Sequence, residues 1–275
     1  MTAISGVTID WAGSKFEWVD EARRLLLPRL FGDKRFQDAA KLERRFEEEV
    51  SAWQSRQAEP RSFRGVINIG NELAAAVALL DKCKDLALLR YEPPMNGTGQ
   101  TLDFCLRDAA GHPVWIDVKT VAPQWQDDDE GWQRFKTLAA DFPENVRFGV
   151  QRAFGGAGIF SQAIKARWSF LTRTIEVEKK AALIPREDGG PVWLMLCSDR
   201  FAWHPDDLED FADFYRVSRF REDDWAGNAM ARYLSERKMT LSRSLAGFHY
   251  FGRRHDECDG ELRWAVRGPM MFAPR

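Results

Sequence analysis

A chain of 275 residues that is 44% apolar and 30% charged can bury a sizeable core, and it lacks the composition of a disordered protein. Its net charge of only −2 excludes a surface coated in positive charge, so a nucleic-acid partner would have to be held by a local patch. No stretch is long and apolar enough to cross a membrane. The start, MTAISGVTIDWAGSKFEW, has no basic-then-apolar leader pattern, so a cytoplasmic protein with reduced cysteines is expected.

In chain order, residues 16–57 read as helical. FEWVDEARRLLLPRLFG is followed by KRFQDAAKLERRFEEEVSAWQSR, in which Phe36, Ala39, Leu42, Phe46 and Val50 recur at three and four residues. The opposite face is charged, as on a helix at the outside of a fold. QAEPRS breaks the pattern and suggests a boundary. In NIGNELAAAVALLDKC, Gly70-Asn71 looks like a helix start, and Leu73 to Leu80 are apolar on every side, as in a buried helix. Glu72 then falls in the first turn.

DLALLRYE reads as a strand and TLDFCLRDAAGHPVWIDVKTV as a hairpin. QWQDDDEGWQ reads as a loop whose acids are solvated, and SQAIKARWSFLTRTIEVEKKAAL as a long helix. VWLMLCS, nearly all apolar, predicts a central strand. HPDDLEDFADFY is a short acidic helix with Pro205 near its first turn, and GFHYFG and ELRWAVRG are two further strands. The expected organisation is a helical N-terminal segment over 1–62, a core over 63–200 and a C-terminal extension over 201–275.

The hairpin carries the chemistry. Alternation puts Leu102, Phe104 and Leu106 on one face, with Asp103, Cys105 and Arg107 on the other. On the second strand it separates Val114, Ile116 and Val118 from Trp115, Asp117 and Lys119. The apolar sets must meet, and a three-residue loop Ala109-Ala110-Gly111 satisfies that parity. Asp103 then lies opposite Asp117. Two facing carboxylates repel by roughly 0.2–1 kcal/mol, so something should compensate. Lys119 could do so by a salt bridge on a wet sheet face. A divalent cation with hard oxygen ligands would do it better.

An acid on one strand, then Asp-x-Lys on the next, preceded by a glutamate on a buried helix, resembles the PD-(D/E)xK nuclease superfamily. The matching residues are Glu72 in GNELAAAV, Asp103 in TLDF, and Asp117 and Lys119 in WIDVKT. The resemblance spans about residues 66–200, where the order helix, three strands, helix, strand is also that of the superfamily core. It implies an α/β fold with a restriction-endonuclease-like core: a mixed central sheet flanked by helices. Leu102 departs from the proline that often precedes the first aspartate. Gln162 opens the long helix as in some exonuclease branches, but Ala166 stands where their tyrosine would be.

The resemblance further implies that Asp103, Asp117 and the Val118 carbonyl bind Mg2+, or Mn2+ in its place, with Glu72 as an added ligand. Such an ion makes water more acidic and neutralises charge on phosphate oxygens. Lys119 would orient the attacking water, stabilise the transition state, or, if its pKa were lowered, act as a base. The expected substrate is nucleic acid, DNA in preference to RNA, and a double-strand cutter would work as a homodimer. The alternative is a nucleic-acid-binding or scaffold protein that keeps the fold without cutting.

Outside the motif, the long helix offers Gln162, Lys165, Arg167, Arg173, Lys179 and Lys180, of which Gln162 and Lys165 share a face near its start and could meet a phosphate. Each is equally explained as part of a solvated face. Arg216, Arg219 and Arg221, near Trp203, Phe220 and Trp225, form a denser basic patch for charge and stacking. His249, His255 and Cys258 lack a fourth ligand at zinc-finger spacing.

Overall fold

The computed structural model describes residues 19–56, 63–83, 85–95, 99–121, 158–185, 189–199, 205–217, 225–236, 238–255 and 262–265. A π-helical turn, Ala22–Leu26, leads into helix α1, Leu27–Gly32. The sequence reads as one continuous helix here, but Pro28 has no amide to donate and crowds the preceding turn, which accounts for the widened geometry. Helix α2 runs Ala39–Ser55 and buries Ala39, Leu42, Phe46, Val50 and Trp53. Phe36 precedes it and, instead of joining the helical stripe, bridges to Leu89.

Helix α3 spans Arg64–Lys82, so it begins six residues before the Gly70-Asn71 start expected from sequence, and Glu72 sits at its middle. A single glycine inside a helix costs about 1 kcal/mol relative to alanine. Burial of Val66, Ile69 and the whole run Leu73 to Leu80 outweighs that. The buried Asn71 side chain also donates to Thr120 Oγ1 at 2.8 Å, tying the helix to the sheet.

Strands β1 (Leu86–Tyr91), β2 (Phe104–Asp108) and β3 (Pro113–Thr120) form an antiparallel meander. Helix α4, Gly158–Ala181, then crosses to β4, Val192–Asp199, which lies parallel to β3. Helices α5 (Pro205–Val217) and α6 (Trp225–Glu236) lead to β5, Leu245–His255, parallel to β4, and then to the antiparallel β6, Leu262–Ala265. The result is a mixed six-stranded sheet in the order β1 to β6. β5 and β6, from the stretch read as an extension, continue the same sheet. At the other edge, the Leu89 amide donates to the Arg35 carbonyl at 2.8 Å, so the preceding segment covers β1.

Both faces are covered. Phe104, Leu106, Ile116 and Val118 pack with Trp193, Met195 and Cys197 against α1, α2 and α3. Cys105, Trp115, Val192, Leu194 and Leu196 pack on the other side against α4, α5 and α6. The face bearing Asp117 is therefore not a wet sheet surface. Glu178 of α4 is buried and accepts from the Tyr215 hydroxyl (2.6 Å), the Arg243 amide (2.6 Å) and the Ser242 amide (3.0 Å), locking α4 to α5 and to the entry of β5.

Candidate active site

The hairpin register is the one the parity argument requires. Phe104 faces Ile116, Cys105 faces Trp115 and Leu106 faces Val114. Gly111 at φ 85° closes the turn; its amide donates to the Asp108 carbonyl, and the Asp108 amide to that of His112. Left-handed backbone at this position favours glycine. His112 belongs to the turn, with its ring and amide both on the Asp108 carboxylate. Leu102, just ahead of β2, departs from strand alternation and packs on the α4 side.

This register brings Asp103 and Asp117 together, and their carboxyl groups hydrogen-bond to each other. Asp103 is 9% exposed and also accepts from the Val118 amide at 2.6 Å. Asp117 is fully buried. One of its oxygens takes the Lys119 ammonium at 2.5 Å, the other the Lys180 ammonium at 2.9 Å. Lys119 also lies 3.7 Å from Glu176, which Arg173 holds at 3.0 Å.

Electrostatics separates the two aspartates. Burial, then the charges of Asp117 and Glu72, push the Asp103 carboxyl well above the usual carboxylate range. Burial acts on Asp117 in the same direction, but Lys119, the hydrogen bond from Asp103 and Lys180 together outweigh it and hold that carboxyl low. Of the two acids in contact, Asp103 is therefore the one that takes a proton more readily. Burial disfavours the charged form of Lys119, yet Asp117 and Asp103 more than offset it, so its pKa is raised and the amine stays an ammonium. Of the roles left open for Lys119, that of a neutral base is the one this environment disfavours.

Glu72 approaches from α3. Its Oε2 accepts from the Tyr91 hydroxyl at 2.6 Å, and Arg45 of α2 reaches the same hydroxyl at 3.1 Å while pairing with Glu92. Burial raises the Glu72 carboxyl to about 7, against the pull of Tyr91 and Arg45. Glu72 is close enough to feel Lys119 and to raise Asp103, but its direct hydrogen bond is to Tyr91. Glu92, at φ 41°, donates its amide to the Asp103 carbonyl at 2.7 Å and receives Lys41 at 3.3 Å. Among the described residues, no three acidic, histidine or cysteine side chains meet closely enough to enclose an ion. Asp103 and Asp117 form a pair, with Glu72 to one side.

Val118 contributes its amide to Asp103 and buries its side chain on the α3 side. Gln162 and Lys165 lie on α4, but their side chains fall outside the described residues. At 1.5 Å per residue their backbones are roughly 27 and 22 Å along the helix from Lys180. Arg216 is exposed on α5 and pairs with Asp213 at 2.9 Å. Arg219, Arg221, Trp203, Phe220, Cys258 and the acidic run 127–130 lie outside the described residues. His249, partly buried on β5, stacks on Trp193 with ring centroids 4.9 Å apart; burial lowers its pKa.

In the sequence Lys180 is one of several basic residues of the long helix, and no motif singles out Tyr91 or Arg45. A signal for Lys180 exists: the helix of a strand–helix–strand crossover returns its C-terminal end beside the first strand, so a basic residue in its last turn can reach that strand. No family model, no curated protein and no solved structure matches this chain. No helix among the described residues is long and apolar enough to cross a membrane.

Proposed function

We propose that this chain is a metal-dependent nuclease of the PD-(D/E)xK type, with a restriction-endonuclease-like core, hydrolysing phosphodiester bonds in nucleic acid and in DNA rather than RNA. One observation carries the reading: Asp103 and Asp117, buried and in contact across the hairpin, share their surroundings with Lys119 and Glu72. Opposed buried acids are costly to a fold, and a protein built only for stability has little use for them. The order α3, β1, β2, β3, α4, β4 agrees with the core order of that superfamily.

The donor set fits a hard divalent cation, since carboxylate oxygens are what Mg2+ and Mn2+ take. Asp103 and Asp117 would hold it, with the Val118 carbonyl and Glu72 as further oxygen donors. When bound, the ion supplies charge neutralisation at the phosphate and makes nearby water more acidic. Lys119 donates hydrogen bonds, orienting the attacking water or stabilising charge on a non-bridging phosphate oxygen. Tyr91 orients Glu72, and Arg45 orients Tyr91. Gln162 and Lys165, far along α4, could meet only phosphates several nucleotides from the scissile one. Arg216, with Arg219 and Arg221, is a candidate for the flanking strand. Cutting both strands would take two copies, as a homodimer.

The test is incubation of purified protein with supercoiled plasmid and Mg2+, Mn2+ or EDTA. Nicking that requires the metal and disappears in Asp117→Asn and Lys119→Ala supports the proposal; no nicking by folded protein in either metal sinks it. A second reading, a nucleic-acid-binding or scaffold protein that does not cut, is favoured by the two ammonium groups already filling both Asp117 oxygens. DNA binding without metal-dependent cleavage would select it.

A further inference from the structure

We propose that Lys180 is a second amine of this site, a residue that competes with the cation for Asp117 and binds substrate phosphate once the cation is there. The inference rests on the metal-dependent reading above and gives Lys180 a role that the Asp-x-Lys motif does not include.

The geometry is specific. Asp117 has two oxygens, and each holds one ammonium: Lys119 at 2.5 Å and Lys180 at 2.9 Å. A divalent cation can approach this buried carboxylate only by displacing or loosening an ammonium, since like charges repel strongly where water is scarce. The two lysines are not equivalent in what they would do next. Lys119 has a second acid, Glu176, 3.7 Å away. The acid that Lys180 meets among the described residues is Asp117.

Displacement therefore leaves Lys119 with a partner and Lys180 with none among the described residues. Lys180 is also the more open of the two, 21% exposed against 14%. Its flexible four-carbon stem, rooted in the last turn of α4, lets the charge move without moving the helix. An ammonium released beside a bound cation has the charge and donors of a phosphate ligand. Lys180 thus opposes the ion alone and favours the ion together with substrate. Linkage then requires that nucleic acid tighten cation binding and the reverse.

The experiment uses the full chain and two probes. One is Mn2+ alone, titrated by calorimetry without nucleic acid. The other is a short DNA duplex, titrated in Ca2+ across a range of salt concentrations. Lys180→Gln should bind Mn2+ several-fold more tightly. It should bind the duplex about tenfold more weakly, with the salt slope reduced by about one. Lys180→Arg keeps the charge and grips Asp117 with a forked guanidinium, so it should bind Mn2+ several-fold more weakly and the duplex about as well as the native chain. It carries the test if the glutamine variant does not fold.

Native protein that takes up both probes, with Lys180 variants that leave both affinities unchanged, overturns the Lys180 assignment alone. A fall in both affinities together in Lys180→Gln makes the residue structural and overturns it too. Native protein that binds neither Mn2+ nor DNA overturns this inference and the nuclease reading with it.

Discussion

The Val118 amide donates to the Asp103 carboxyl at 2.6 Å, so the acid that precedes β2 is held by the main chain of β3 one residue past Asp117. The hairpin clamps two acids against each other with its own backbone, and the conflict between them is built into the fold. Replacing Asp103 by asparagine keeps an acceptor for Val118 and removes the conflict. Asp103→Asn should leave stability unchanged or raise it by about 0.5–1 kcal/mol in urea denaturation with EDTA present. The same variant should lose metal-dependent nicking. A large loss of stability instead would mean that the pair is structural.

Asp117 is the opposite case. Its removal strands two largely buried ammonium groups, and truncating one partner of a buried pair costs about 3–5 kcal/mol. Both lysines keep some access to water, so Asp117→Ala should cost about 2–3 kcal/mol. Adding Lys119→Met and Lys180→Met to it should recover most of the loss. Denaturation of the single and triple variants gives the answer, and a triple variant less stable than Asp117→Ala would refute this accounting.

Glu72 predicts a pH dependence with a defined sign. Its carboxyl titrates near 7 when folded and near 4.5 when unfolded, so between those values the folded chain holds the extra proton. The Glu72 contribution is fully present below about 4.5 and is lost as pH rises through about 7. Native protein should therefore lose stability relative to Glu72→Gln across that window, by on the order of 2–3 kcal/mol in metal-free buffer. A difference between the two that stays flat with pH would show that Glu72 is not held protonated.

Glu178 provides a control away from the chemistry. Glu178→Ala leaves the Tyr215 hydroxyl and the Ser242 and Arg243 amides to find water, at a cost of about 2 kcal/mol. Hydrogen exchange should quicken first at the start of β5. Metal affinity should be unaffected while the protein stays folded. A matching loss of metal affinity would mean that the two regions are coupled.

The hairpin was legible in the sequence because two independent constraints agreed. The apolar parity of Phe104, Leu106, Val114 and Ile116 fixes which faces meet, and Gly111 fixes the loop length. The buried run Leu73 to Leu80 was legible for a similar reason, since no surface helix is apolar all round. The start of α3 was not, because Gly70-Asn71 has a local preference that tertiary burial overrides. Nor was the cover over Asp117. Cys105 and Trp115 alternate with charged residues, and nothing local says that α4 lies on them. The contacts of Lys180 with Asp117 and of Tyr91 with Glu72 join residues 63 and 19 positions apart. Pairings of that kind come from topology, which local periodicity does not encode.

The central claim is that Asp103 and Asp117 exist to hold a divalent cation. Crystals soaked in Mn2+ and measured near the manganese absorption edge test it directly. An anomalous peak is expected between the two carboxylates, with Lys180 withdrawn from Asp117. Fully soaked crystals with no peak there, and both ammonium groups still on Asp117, would contradict it.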